Sequence, residues 1–329
     1  MKAKLFHSKS STWAFLTLAG SLFLLPASQA QETITLDPDL KDYKPASGIS
    51  GNLTSIGSDT LNNLMTYWAE GFAKIYPNVK IQIEGKGSST APPALIAGTA
   101  QLGPMSRKMK AEEIDAFEQK YGYKPKLIVV ALDTLAIYVN KDNPIQSVTL
   151  QQVDSIFSST KKRGGKDVSK WGDLGLTGEW KNKPLSLYGR NSASGTYGFF
   201  KELSLDKGDF KSSVKEQPGS ASVVQGVEQD LGAVGYSGIG YKTSGVKALP
   251  VSFKAGPIVP NQKNANTFNY PITRFLYVYI NKDPVKGTDP VVKEFIRFVL
   301  SKQGQEITIK DGYYPISAKK EAEMMAELE

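Results

Sequence analysis

The sequence contains no cysteine, and its single histidine, His7, lies within the first ten residues. No disulfide is available, and neither is a thiol nucleophile or a cysteine to carry a lipid anchor. Beyond His7 there is no imidazole. That excludes a Ser-His-Asp triad and removes the commonest zinc and copper ligands. No Gly-x-Ser-x-Gly elbow occurs, and no glycine-rich turn ends in the Gly-Lys-Ser/Thr of a nucleotide-binding P-loop. A Ser–Lys hydrolase and a carboxylate-bound metal phosphatase stay open, although no clustered Asp/Glu motif supports the latter. Long apolar runs are also scarce. The one that stands out, Trp13 to Leu25, follows Lys2, Lys4 and Lys9 and ends at Ser28-Gln29-Ala30. This pattern predicts a secretory signal peptide over residues 1–30, cleaved after Ala30. The run is shorter than the roughly 20 residues a membrane span needs. A soluble periplasmic protein without a lipid anchor is expected, with release to the medium as the other destination.

Formal net charge is +8, and three of those charges lie in residues 1–30 with no acid beside them, which leaves +5 for the rest. Such a modest positive field suits anionic ligands. The basic run Lys161-Lys162-Arg163 adjoins Gly164-Gly165 and reads as a solvated loop. Nucleic-acid binding would want a longer basic stripe interleaved with aromatics, so no nucleic-acid partner is expected.

Residues 31–50 are polar, carry Pro38 and Pro45, and read as an N-terminal extension or linker. From Leu53 onward strand-like and helix-like pieces alternate. Leu61, Leu64, Met65, Trp68, Phe72 and Ile75 keep helical spacing until Pro77. Val79 to Ile83 alternates as a strand does. Pro92 and Pro93 suit the first turn of a helix. Leu127 to Val130 and Leu135 to Val139 read as two buried strands. Thr149 and Gln152 have capping-box spacing ahead of Leu150, Val153, Ile156 and Phe157. Leu185 to Tyr188, Val234 to Tyr236 and Phe275 to Ile280 read as further strands. Asp289-Pro290 opens a helix that runs to about Leu300. The alternation predicts α/β architecture, and the length allows two domains.

A short phrase recurs at strand ends: Gly57-Ser58-Asp59-Thr60, Gly87-Ser88-Ser89-Thr90, and Arg190-Asn191-Ser192-Ala193-Ser194-Gly195-Thr196. A helix leaves its first N–H groups unpaired and carries partial positive charge at that end. A Gly/Ser turn ahead of it adds hydroxyl donors and lets a backbone approach closely, which together suit an anion. Arg190 offers the fork that a tetrahedral oxyanion prefers. Each serine taken alone is equally well a plain helix cap.

With these motifs the chain resembles the periplasmic phosphate-binding proteins of high-affinity phosphate ABC transporters, in the type II periplasmic-binding-protein superfamily. The resemblance spans about Gly51 to Ile316. Its most specific part is Arg190 to Thr196, which matches the family's Arg-x-x-x-Ser-Gly-Thr loop. Gly57-Ser58-x-Thr60, Gly87-Ser88-Ser89, Tyr270-Pro271-Ile272, Gly304-Gln305 and Gly312-Tyr313-Tyr314-Pro315 also match. It implies an α/β fold of two lobes, residues 51–133 with 274–329 and residues 134–273, with crossings near Asp133 and Arg274. A single phosphate in the inter-lobe cleft, an inner-membrane permease partner, no cofactor, no metal and no catalysis are implied too, with a monomer expected. The ligand set it implies is Ser58, Asp59, Thr60, Ser88, Ser89, Ser106, Arg107, Arg190, Ser192, Ser194, Gly195 and Thr196. The third N-terminal loop, Gly103-Pro104-Met105-Ser106-Arg107, has Arg where many members have Asp, and resembles a branch with Ser-Arg there. Asp59 or Asp133 would then accept the ligand's hydrogen. Another tetrahedral oxyanion such as sulfate or molybdate, a secreted phosphatase, and an adhesion role are the competing readings.

Overall fold

The computed structural model describes Met1, residues 33–254 and residues 256–329, so the expected signal segment lies outside the described residues apart from Met1. Among the described residues, nine strands form one sheet. Its spatial order is Val79–Glu84, Gly51–Ile56, Leu102–Met105, Thr273–Ile280, Lys126–Asn140, Ala233–Gly238, Ser186–Arg190 and Lys215–Gln217, and Val246–Leu249 also pairs with Lys126–Asn140. Both flanks are parallel, as strand–helix–strand crossovers require. The centre, around Lys126–Asn140, is antiparallel.

That central strand is the main departure from the sequence expectation. Instead of two strands, one strand of 15 residues runs through. Asp133-Thr134 interrupts the apolar run, which made a break look natural. Both residues are fully buried, and Asp133 stays inside the sheet because its carboxylate is fully engaged. Oδ1 accepts from the Ile239 N–H at 3.0 Å, and Oδ2 accepts from Arg274 Nε and Nη2 at 2.9 and 2.7 Å. Before this pair, Lys126 to Thr134 pairs with Thr273–Ile280. After it, the strand pairs with Ala233–Gly238 and Val246–Leu249. Core residues divide at the same place. Leu53, Trp68, Phe72, Leu132, Leu276 and Phe295 share one hydrophobic core, whereas Leu135, Ile156, Trp171, Phe200, Tyr236 and Ile272 share another. Asp133 and Arg274 are direct neighbours in the register.

Helices form where the sequence places them. Asn62–Ile75 buries Leu64, Met65, Trp68 and Phe72 in the first core. Ala91–Ala97 begins Ala-Pro-Pro, with the prolines where a missing N–H costs nothing. The Thr149/Gln152 box is closed in both directions, at 3.0 and 2.8 Å, ahead of Leu150–Phe157. Asp289 caps Pro290–Leu300 by accepting from the Val291 and Val292 N–H groups.

Residues 33–50 carry no regular structure, and they are tied to the rest of the chain at several points. Leu40 is buried, Tyr43 donates its hydroxyl to Glu294 and its N–H to Gln303, and Asp37 accepts from the Ala318 N–H. Polar composition hid this, because the stretch attaches mostly through hydrogen bonds. In the basic run, Lys162 is exposed as expected, whereas Arg163 is half-buried. Its guanidinium donates to the Leu203 and Ser204 carbonyls at the end of the helix Gly195–Leu203, where a cation is favoured.

Candidate functional site

Four loops leave the carboxyl ends of parallel strands and converge, where open α/β sheets place their ligands. They follow Gly51–Ile56, Val79–Glu84, Leu102–Met105 and Ser186–Arg190. The first three strands border the first core, and the fourth borders the second.

Five hydroxyls meet there. Ser58 Oγ donates to Ser106 Oγ at 3.0 Å, and Ser88 Oγ lies 3.2 Å from the same atom. Thr196 Oγ1 is 3.5 Å from Ser106 Oγ and 2.8 Å from Thr60 Oγ1. Ser58, Thr60, Ser88, Ser106 and Thr196 are all at most 2% exposed. Ser58 precedes the 3-10 turn Asp59–Leu61 and Ser88 opens the turn Ser88–Thr90, and neither makes a cap bond; Ser88 Oγ instead accepts the Ser106 N–H at 3.0 Å. Ser194 is different. It is the N-cap of Gly195–Leu203 and accepts from the Thr196 and Tyr197 N–H groups. Gly195 is required sterically: a Cβ there would stand 2.3 Å from Ser88 Oγ and 2.7 Å from Ser106 Oγ.

Arg190, 1% exposed, hydrogen-bonds to none of the five hydroxyls among the described residues. Nη1 donates to Ser220 Oγ at 2.7 Å and pairs with Asp59 Oδ2 at 3.2 Å, and Nη2 donates to the Pro218 carbonyl. Nε is buried and makes no hydrogen bond among the described residues. Burial lowers the pKa of this guanidinium, and the Asp59 carboxylate offsets part of that. Asp59 also accepts the Ser220 N–H at 2.7 Å, while its carbonyl accepts from the Tyr241 hydroxyl.

The remaining expected residues divide. Ser106 stands at the centre of the cluster. Arg107, its neighbour, forks onto both oxygens of Glu113 at 2.7 Å, with a further bond to Ser89 Oγ at 3.2 Å, and does not reach the five hydroxyls. Burial alone would raise the Glu113 carboxyl, but Arg107 and the Lys110 N–H outweigh it and hold the group below its ordinary range. Ser192 is exposed, and its side chain makes no hydrogen bond among the described residues. Asp133 is taken up by Arg274 and Ile239 rather than by any of the five hydroxyls.

Sequence reasoning missed the Arg274 side chain. Its Nη2 donates to Thr196 Oγ1 at 2.9 Å and its Nη1 to the Ser106 carbonyl at 2.8 Å. An arginine at the head of the otherwise apolar strand Thr273–Ile280 was the available signal. Tyr313, whose hydroxyl donates to the Thr60 carbonyl at 2.8 Å, was noted only as part of a motif.

Behind Tyr241 and Tyr313 lies Asp311, at the carbonyl end of the helix Lys302–Lys310. Burial pushes its carboxyl up to about 7, and its Oδ2 lacks a hydrogen bond among the described residues. A carboxyl whose folded pKa is raised contributes stability below its unfolded pKa and loses it as pH rises through the folded one. Thermal melts should therefore show Asp311→Asn matching the parent near pH 4 and exceeding it increasingly toward pH 7. A constant difference across that window would contradict the burial of this carboxyl.

The model of the PBP superfamily domain matches residues 43–303. The phosphate-binding protein PstS of Pseudomonas aeruginosa is 59% identical over 302 residues, covering 91% of this chain and 94% of that protein. Solved structures share the fold. A substrate-binding protein from Clostridium perfringens, solved with bound phosphate, superposes with a TM-score of 0.69 at 24% identity, covering 81% of this chain and 100% of its own. An ABC-type phosphate transport receptor from Vibrio cholerae does so at 0.63 and 23% identity, covering 80% and 100%. The two-lobed α/β fold and this similarity agree: the chain belongs to the PBP superfamily, in the family of the phosphate-binding protein PstS.

Proposed function

We propose that this chain captures inorganic phosphate in the periplasm and hands it to an ABC permease in the inner membrane. One observation carries the reading. Five buried hydroxyls, from loops of both halves, meet within hydrogen-bond distance around Ser106 and Thr196 with no carboxylate among them. Hydroxyls can bond to one another only by alternating donor and acceptor roles. A phosphate brings acceptors, so each O–H can point at it. Hydrogen bonds to a charged group contribute about 1.5–3 kcal/mol net, so roughly three to six reach the −8.2 kcal/mol of ~1 μM affinity.

The lobes are residues 51–133 with 274–329, and residues 134–273, crossed near Asp133 and Arg274. Closure is a hinge motion that brings the Thr196 loop against the Ser58, Ser88 and Ser106 loops. The protein works as a monomer, is exported by a cleaved segment ending at Ala30, and carries no lipid anchor. It is not an enzyme, and purified protein should release nothing from a chromogenic phosphate ester. Cells that lack this chain should lose high-affinity phosphate uptake. Unchanged uptake at micromolar phosphate would overturn the transport role.

Asp59 is the carboxylate that distinguishes phosphate from sulfate. Its Oδ2 is tied to Arg190 and Ser220, while Oδ1 has no hydrogen bond among the described residues, next to Ser58 and Thr60. A carboxylate accepts the hydrogen of monohydrogen phosphate and repels fully ionised sulfate. Asp59→Asn should narrow the phosphate-to-sulfate affinity ratio at least tenfold in competition titrations. An unchanged ratio would remove Asp59 from the selectivity role.

A further inference from the structure

The geometry points to Arg274 as a second anion-binding guanidinium, the one that enters the hydroxyl cluster directly, with the Asp133 carboxylate offsetting part of its charge from behind. The inference rests on the phosphate reading above and adds a ligand that the Arg-x-x-x-Ser-Gly-Thr motif does not contain. Arg274 is 3% exposed and donates in three directions: to Asp133 Oδ2 through Nε and Nη2, to the Ser106 carbonyl through Nη1, and to Thr196 Oγ1 through Nη2. Among the described residues, no other charged side chain hydrogen-bonds to any of the five hydroxyls. Arg190 turns instead to Ser220, Pro218 and Asp59.

The fork joins both halves. Ser106 follows the strand Leu102–Met105 of the first core, whereas Thr196 lies in the first turn of the helix Gly195–Leu203, which packs Phe200 into the second core. Phe199 of the same helix places its ring 5.3 Å from the Arg274 guanidinium. With Thr196 Oγ1 accepting from a cation, its own hydrogen is free to point at an anion. An oxyanion lodged among the five hydroxyls can take the Nη2 hydrogen that Thr196 Oγ1 accepts here, or the second hydrogen of Nη1, and gains a charged bond that neutral hydroxyls cannot supply.

A ligand role and a purely structural role predict opposite signs at Asp133. If Arg274 only pins the two crossing strands together through Asp133, then Arg274→Gln and Asp133→Asn break the same contact and weaken phosphate binding alike. If Arg274 acts on the anion, Arg274→Gln removes attraction, whereas Asp133→Asn removes a negative charge and leaves the guanidinium uncompensated. Phosphate titrations should show Arg274→Gln weakened at least tenfold. Asp133→Asn should bind as tightly as the parent or tighter, despite a lower Tm. The charge-balanced double variant Arg274→Gln/Asp133→Asn should stay weak. Equal losses in the two single variants, or a double variant restored to parental affinity, would overturn the assignment. Should Asp133→Asn not fold, Arg274→Lys against Arg274→Gln gives the same answer: lysine keeps the charge and must retain more affinity, and equal losses would refute the ligand role. A parent protein that binds no phosphate would instead overturn the phosphate reading itself.

Discussion

Arg190→Ala should weaken phosphate binding by about 100-fold or more, whereas Lys162→Ala should change it less than twofold. Two effects add at Arg190. Its Nε is buried and makes no hydrogen bond among the described residues, which leaves a donor over for an anion, so truncation removes a charged donor worth about 1.5–3 kcal/mol. The same change strips Asp59 of its partner at 3.2 Å and leaves an uncompensated carboxylate beside Ser58 and Thr60. An unpaired charge in a largely buried setting is more harmful than the loss of the pair as such, and here it also repels the ligand. Lys162 is exposed on a distant loop, and long-range attraction from one surface lysine is screened beyond about 10 Å at 0.1 M salt. Titration calorimetry on both variants checks this, with melting curves to confirm that Arg190→Ala is folded. Comparable small effects would refute the placement of the site.

Gly87→Ala is the second large effect. Gly87 has φ 118°, a conformation that costs an L-residue about 1–3 kcal/mol. A Cβ there would stand 2.5 Å from the Ala193 carbonyl oxygen and 2.8 Å from its carbon. Both are backbone atoms, so no side-chain rotation relieves the clash. Ala193 belongs to the loop of the other half, and the Ser89 N–H donates to its carbonyl at 3.2 Å. The added methyl is a wedge between the halves and strikes the closed arrangement more than either core. Phosphate affinity should fall about 100-fold, and small-angle scattering should show little compaction when phosphate is added. Gly195→Ala meets Ser88 Oγ and Ser106 Oγ and would push two of the five hydroxyls out of the cluster. Parental affinity in Gly87→Ala would mean that the halves need not approach this closely.

Much of this was legible in the sequence because the signals are local. The proline at position 77, the Thr149/Gln152 box and the Asp289 cap act within a few residues, and the elements form accordingly. The recurring Gly/Ser turn also marks three of the four converging loops. What the sequence hid is long-range. Asp133 reads as a strand breaker until Arg274, 141 residues away, supplies its counterion. Nothing in the sequence announces that Glu113, in the first turn of Ala111–Tyr121, takes both arms of the Arg107 fork. Ser194, Ser58 and Ser88 share one local pattern, yet only Ser194 caps a helix. Ser58 and Ser88 turn instead to Ser106, on a neighbouring loop 48 and 18 residues further along the chain.

The central claim is that the hydroxyl cluster, with its arginines and Asp59, is a phosphate site, and calorimetric titration of the purified protein with phosphate and with sulfate at pH 8 tests it most directly. The account predicts one phosphate per chain with a Kd of ~1 μM or below, and sulfate at least tenfold weaker. No phosphate binding, or equal affinity for the two anions, would contradict it.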